Sequence, residues 1–569
     1  MNDERRRRRL RPWLVVLGLL AALLAYMYWP MGPVKIIISR QTTYIDGPLN
    51  ADGTVNYVAY LDANYAKGVT PENNAAPLLL RAMGAMMLPS GGFRDLPPEK
   101  ASEVLRRLSL PASTLQQDKH FIAWGDRARP DRAEGNNANS AQSAQPNESG
   151  DADNDRGPRL YDVEKMILAG KVHPDLEPWL ARNASPLELI REASTRQRYY
   201  MPLICWTTPP SIQDLYEPPF RGFWEAEASF TIRARLKVNH NDLRGAWDDL
   251  FVVHHLSRLM AQGPTINEQL CAVGSEEQAA KAGIFLATRG HMPVVKMREL
   301  LDKLSNLEPV GRVEEVDDKY SRFAMLDAVG IWARGQELRI LRNDPDREVS
   351  LPDPSTLDYN QMLRDMNGWY DRLGEELRLA RKADPSETLR ISGMEAYKFL
   401  RGHSPPGKLG VFVYNHGGRP FLYARTKWVT GALLFAIGSY REITWDLVDL
   451  ARMSHEIETL AVSLACFHAE SGRWPTELKE LCPSLLKTIP IDRFSGKPLI
   501  YRPSKDGYLL YSIGRNRKDD GGQNPPNDAR KDDIVAEVKP AEAASKPVDT
   551  KPADAKPAET ASRPPRSLL

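Results

Sequence analysis

One stretch restricts this chain more than any other: Leu14 to Trp29, an apolar run reading LVVLGLLAALLAYMYW, preceded by Arg5, Arg6, Arg7, Arg8, Arg9 and Arg11. At ~1.5 Å rise per residue it reaches the thin end of what a bilayer core requires, and Trp13 and Trp29 sit where interfacial aromatics would. The arginines are costly to translocate. The positive-inside bias therefore predicts a cytoplasmic N-terminus, a single-pass anchor over 13–30 and an extracytoplasmic body, with the lipid bilayer as first partner. A cleaved signal peptide would share the charged start and apolar run, but cleavage wants small residues where Tyr26, Met27, Tyr28 and Trp29 stand. A buried soluble helix is the remaining alternative.

The chain has 569 residues, long enough for two to four hydrophobic cores. Its 76 basic and 74 acidic side chains leave a formal charge of +2, so no overall field would recruit nucleic acid. Cys205, Cys271, Cys466 and Cys482 allow up to two disulfides in an oxidising space. None belongs to a CxxC, and simple core or boundary thiols are the favoured reading.

Helical spacing of apolar residues recurs along most of the chain. Val34 to Ile38 reads as a short first strand, followed by helices near Tyr57 to Tyr65 and Pro71 to Met87 and one opening at Pro97. Residues 127–158 offer nothing to anchor a core and are expected to be a disordered insert. Helices are predicted at Leu187 to Tyr199, at Phe220 to Val238, and from Asp242 to a stop at Gly263-Pro264. Another runs from Ile266 to Ala287, with a break expected at Gly274-Ser275, and long ones cover Val316 to Leu341 and Tyr359 to Leu379. Val429 to Ile437, apolar but short, reads as a core helix.

Few residues announce chemistry. His254-His255 has Asp248, Asp249 and Glu268 nearby in sequence, but adjacent rings on a helix point ~100° apart and do not easily share one metal. One satisfied interior histidine and one at the surface is the expectation. His455-Glu456 starts like a zinc-protease motif, yet Thr459 stands where the second histidine belongs. His468 and Glu470 have no partner set. Nucleophile elbow, phosphate loop and dinucleotide turn are all absent from the sequence.

Near the C-terminus, Ile457, Leu460, Ala461, Leu464 and Phe467 line one helical face that Gly472 would close in a left-handed cap. Leu499 to Tyr501 and Tyr508 to Ile513 then read as a hairpin about Ser504 to Gly507. Beyond Gly514 lie NRKDDGG and ARKDDI. Taken from the residues alone, this loop is first a solvated acidic surface, neutralised by Arg515, Arg517, Lys518, Arg530 and Lys531. The second reading is a calcium site: carboxylates and carbonyls are the hard oxygens that ion takes, and the paired glycines would let the loop wrap it. Residues 536–569, rich in Ala, Pro, Lys and Glu, are expected to be a disordered tail.

The run GRWPTELKEL, then PIDRFSGKPLIYRPSKDGYLLYSIGRNRKDDGG and finally DDI, resembles the C-terminal half of the type II secretion major pseudopilins over about 80 residues. The resemblance implies a helix leading to a small sheet and a loop that binds calcium, with ligands from Asp519 or Asp520 and from Asp532 or Asp533. It departs at the N-terminus, where a prepilin leader and an early glutamate are missing. The overall layout also resembles the large single-anchor membrane proteins of planctomycete-type bacteria, which implies organisation and little function.

The fold class expected is mostly α, with an N-terminal transmembrane helix, a helical body and a small α+β module of helix plus β-hairpin. The divisions are a basic segment 1–12, the anchor 13–30, a helical region 31–126, the insert 127–158, the body 159–452, the pseudopilin-like module 453–535 and the tail 536–569. The function expected is structural, assembly-related or secretion-related, with envelope or secretion proteins as partners. The alternative is an envelope hydrolase whose site is assembled from residues distant in sequence.

Overall fold

The structure is a computed structural model that describes residues 15–23, 25, 35–90, 96–116, 120–127, 160–168, 170–289, 292–336, 356–383, 401–402, 410–412, 414, 418–525 and 530–539. Helices dominate among them, and the one sheet is small, three-stranded and antiparallel. The expected insert lies almost wholly outside the described residues, as does all of the tail after 539.

The N-terminal anchor is corrected. Residues 15–23 and 25 are helical, with Val15, Leu17 and Leu19 exposed. No helix among the described residues is long and apolar enough to cross a membrane. The membrane, transmembrane and signal-anchor readings therefore fall.

The first helices are short because their sequences carry starts and stops. Asn56 accepts the Ala59 amide at 2.8 Å and begins α1 (Tyr57–Ala66), while prolines near the first position open α2 (Ala76–Met83) and α3 (Pro98–Arg107). After them come α4 (Leu160–Leu168), α5 (Leu176–Arg182) and α6 (Ala184–Ser194). The described part of the strand expected over Val34 to Ile38 is not one: residues 35–38 are irregular, and Asn360 holds them by accepting the Ile37 amide at 2.8 Å and donating to the Lys35 carbonyl at 3.1 Å.

Four longer helices follow: α7 (Phe220–Asn239), α8 (Leu243–Met260), α9 (Ile266–Arg289) and α10 (Val294–Ser305). Asp242 caps α8 by accepting the Gly245 amide at 2.9 Å, and a Cβ at residue 245 would lie 2.2 Å from that carboxylate. The break expected at Gly274-Ser275 does not occur. Helix α9 runs through it because Ser275 is buried and donates its hydroxyl to Glu227 of α7, so tertiary packing overrides a weak local signal. The long helix expected from Val316 is interrupted by a π turn at Asp317–Ser321 before α11 (Arg322–Ala333).

After α12 (Tyr359–Ala383) comes the element on which the architecture depends, α13 (Leu422–Ser471), 50 residues and thus ~75 Å long. Val429, Leu433, Val448 and Ala451 enter the main core with the front helices, α11 and α12. One turn further on, Ile457, Leu460, Ala461 and Leu464 build a second core with the sheet, while Val462 faces a third with Trp247, Leu286 and Leu304. The boundary expected at 452/453 falls inside this helix. Gly472, at φ 72°, closes it in the left-handed conformation as expected, its amide bonding the His468 carbonyl at 2.8 Å.

The hairpin appears as read, β1 (Ile500–Pro503) against β2 (Tyr508–Ser512), with Ile500 opposite Tyr511. A third strand was not expected: β3 (Ile534–Val538) pairs antiparallel to β2, so the segment assigned to the start of the tail completes the sheet. Asp492, almost fully buried, locks the end of β2 by accepting the Ser512 hydroxyl at 2.7 Å and the Ile513 amide at 3.2 Å. The four cysteines are all free thiols, two buried and two half-buried, in line with the core and boundary reading.

Candidate functional site

The acidic loop leaves β2 at Gly514 and returns at β3. Gly514, Gly521 and Gly522 all have positive φ, and a Cβ at 514 would meet the Asp532 carbonyl at 2.2 Å. Each aspartate is engaged by the protein itself. Asp519 accepts the Tyr511 hydroxyl at 3.0 Å and the Gly521 amide at 2.8 Å, and Asp520 accepts the Asn516 side-chain amide at 2.7 Å. Asp532 accepts the Asn516 backbone amide at 3.1 Å, while Asp533 takes the Gly522 amide at 2.7 Å. Burial pushes the carboxyls of Asp532 and Asp533 up, partly offset by these amides. Asp533 is fully buried and its Oδ1 finds no hydrogen-bond partner.

A second cluster lies where α8, α9 and α13 meet. His254 of α8 is fully buried, its Nδ1 3.0 Å from Glu276 Oε2 on α9 and its Nε2 3.3 Å from Glu458 Oε1 on α13. His455, one helical turn before Glu458, places Nδ1 3.3 Å from Glu276 Oε1 and 3.3 Å from Glu458 Oε2, and its Nε2 lies 3.2 Å from the Leu304 carbonyl. Arg258 grips Glu276 with two nitrogens at 2.6 and 3.0 Å, and the Ser257 hydroxyl donates to the same carboxylate at 2.9 Å. Among the described residues, His254, Glu276 and His455 are the one group of three or more His, Cys, Asp or Glu placed to hold a metal, one ligand atom from each lying within 4.8 Å of the others. The four loop aspartates do not form such a group as they stand.

Burial alone would lower the His254 imidazole, but Glu276 and Glu458 outweigh it and hold it up at about 9. Burial would raise Glu276; His254 and Arg258 instead drag it well below the carboxylate range. His254 thus lies between the carboxylates of Glu276 and Glu458, and Arg258 holds Glu276 from its other side. His255 is half-buried, pushed down to about 4 by burial and by the adjacent imidazole. The expectation for the pair therefore holds for His254 as an interior histidine, while His255 is less exposed than expected.

The sequence reading of His455 looked for a histidine at i+4. The actual partners are Glu458 at i+3 and, far away along the chain, His254 and Glu276. Glu276 sits in an alanine-rich stretch with no motif around it. One local clue was available: Gly283 stands opposite, where a Cβ would lie 1.7 Å from Glu458 Oε1, so a glycine here makes room for a side chain on another helix. Gly283→Ala, which in an exposed helix would gain up to ~1 kcal/mol, is expected to cost about 1–3 kcal/mol in chemical denaturation, because Glu458 must leave or the helices must part. No family model, curated protein or solved structure matches the chain.

Proposed function

We propose that the chain acts in structure or assembly: a pseudopilin-like helix-and-sheet module fused through α13 to a helical body, with envelope or secretion proteins as its partners and calcium taken up by the acidic loop. The observation that carries the reading is the continuity of α13 through all three cores, which suits a rigid scaffold. The hydrolase alternative draws no such support. His254 does meet two carboxylates, yet all three side chains are fully buried, where no substrate could touch them.

Calcium enters this reading through Asp533, whose unpartnered Oδ1 is the kind of buried oxygen that a hard cation satisfies. Asp519 and Asp520 would turn toward it, giving up Tyr511 and Asn516. The test uses the whole chain, because any cut near 453 severs α13. Calcium at ~100 times its dissociation constant should stabilise the protein by about 2.7 kcal/mol, magnesium should not, and Asp519→Asn with Asp520→Asn should remove most of the gain. A melting curve unmoved by millimolar calcium, with no heat of binding in calorimetry, would leave the loop a charged surface and count against the reading.

A further inference from the structure

We propose that His254, Glu276 and His455 form a site for a first-row divalent transition metal, a two-histidine, one-carboxylate set at the junction of α8, α9 and α13. The orientation of the two rings carries it. His254 turns Nε2 to Glu458 at 3.3 Å and His455 turns Nε2 to the Leu304 carbonyl at 3.2 Å. Once an ion has replaced the proton between His254 and Glu276, and with each Nε2 carrying the hydrogen for its own bond, each Nδ1 presents a lone pair inward, on the side of opposite Glu276 oxygens at 3.0 and 3.3 Å. An acceptor behind each ring is the support that metal-bound imidazoles commonly have. Separations near 3.3 Å are also the edge of a tetrahedral shell with bonds of ~2.0 Å.

A second observation points to a ligand independently. Glu458 Oε2 is fully buried and has no hydrogen-bond partner, and neither has His455 Nδ1, although the two lie 3.3 Å apart. Two such atoms facing each other call for a positive charge between or beside them. Imidazole with carboxylate suits zinc, iron or cobalt better than calcium or magnesium, whose ligands are oxygens. Entry is from the edge formed by His455, 17% exposed, and Arg258. An arriving divalent ion displaces the proton held between His254 and Glu276 to solvent, which raises the net charge of the site by one; Arg258 and Ser257 then orient the carboxylate from behind.

Cobalt(II) titrated into the chelator-treated full chain is the test, since its visible bands report the ligand type. The expected result is one equivalent bound, with d–d absorption and no thiolate charge-transfer band. His455→Ala, at the edge of the site and so the substitution least disruptive to folding, should abolish those bands while leaving the far-ultraviolet circular dichroism unchanged. Glu458→Gln should weaken binding about 10–100-fold, as loss of a supporting carboxylate does. Zinc should compete the cobalt out. Absence of any bands at millimolar cobalt, a thiolate band, or bands that persist in His455→Ala would each overturn the site.

Discussion

Glu276→Ala should lower the unfolding free energy of the metal-free protein by about 3–5 kcal/mol, the usual cost of removing one partner from a buried ion pair. The size follows from what the substitution leaves behind. His254 is fully buried, and Arg258 spends two nitrogens on this carboxylate, so the imidazolium keeps one counter-ion and the guanidinium loses its own. Ser257 loses an acceptor in the same step. Water does not readily repair the damage at His254, which is fully buried on the inner side of the cluster, away from the partly exposed edge at His455 and Arg258. Urea denaturation of wild type, Glu276→Ala and Glu276→Gln in the presence of chelator is the measurement. Glu276→Gln, which keeps the shape and one acceptor, should fall between the others. A loss under about 1 kcal/mol in the alanine variant would mean that the cluster relaxes and that its charges were never tightly held.

Asp249→Ala is the second large effect expected, about 3 kcal/mol, and it acts on a different joint. Asp249, fully buried, accepts Arg233 at 2.7 and 2.8 Å, Lys237 at 2.8 Å, and Arg191 from α6, so one carboxylate ties α6 and α7 to α8. The cost should sit at the low end of the buried-pair range. The side chains of Arg191, Arg233 and Lys237 are 27, 21 and 27% exposed and can turn to water when the carboxylate goes. Burial would raise this carboxyl, but the hydrogen bonds from Arg233 and the cations around it hold it below 3.8. Its folded-state value is thus depressed. The stability it contributes is fully present above pH 3.8 and is lost as the pH falls through the lower folded value. Wild type and Asp249→Asn should accordingly converge in stability as acid is added; a gap that stays constant from pH 6 to pH 3 would refute the linkage.

What could be read in advance was what repeats locally. The stripe from Leu243 to Met260 and its stop at Gly263-Pro264 needed only the period of a helix and two residues that end one, and α8 lies there. The hairpin about Ser504 to Gly507 was legible for the same reason, since alternation and a turn are neighbours in sequence. The strand β3 was not. Ile534, Val535 and Val538 are β-branched, but a run of five beside an Ala-, Pro- and Lys-rich tail is too short to stand alone, and pairing with β2 across the acidic loop makes it a strand. The buried cluster was illegible on the same ground. His254 and Glu458 stand 204 positions apart, and no spacing rule connects them. The anchor shows the opposite failure: composition alone suggested a span, and no helix among the described residues is long and apolar enough to be one.

The continuity of α13 also bears on how such a chain can be inherited. A module bounded by a linker can be lost, duplicated or grafted by recombination with few side chains disturbed. Here a crossover that removed the whole second core, and not the sheet alone, would have to pass through a helix whose neighbouring turns serve different cores, so Ala451 and Ile457 would be parted from one another. Amide exchange should register the same constraint as a single cooperative opening of the helix's central turns, with no separate, earlier release of the half that carries the sheet. Such an opening would make the terminal sheet the end of one folding unit, tied to the helical body through the turns of α13 that both share.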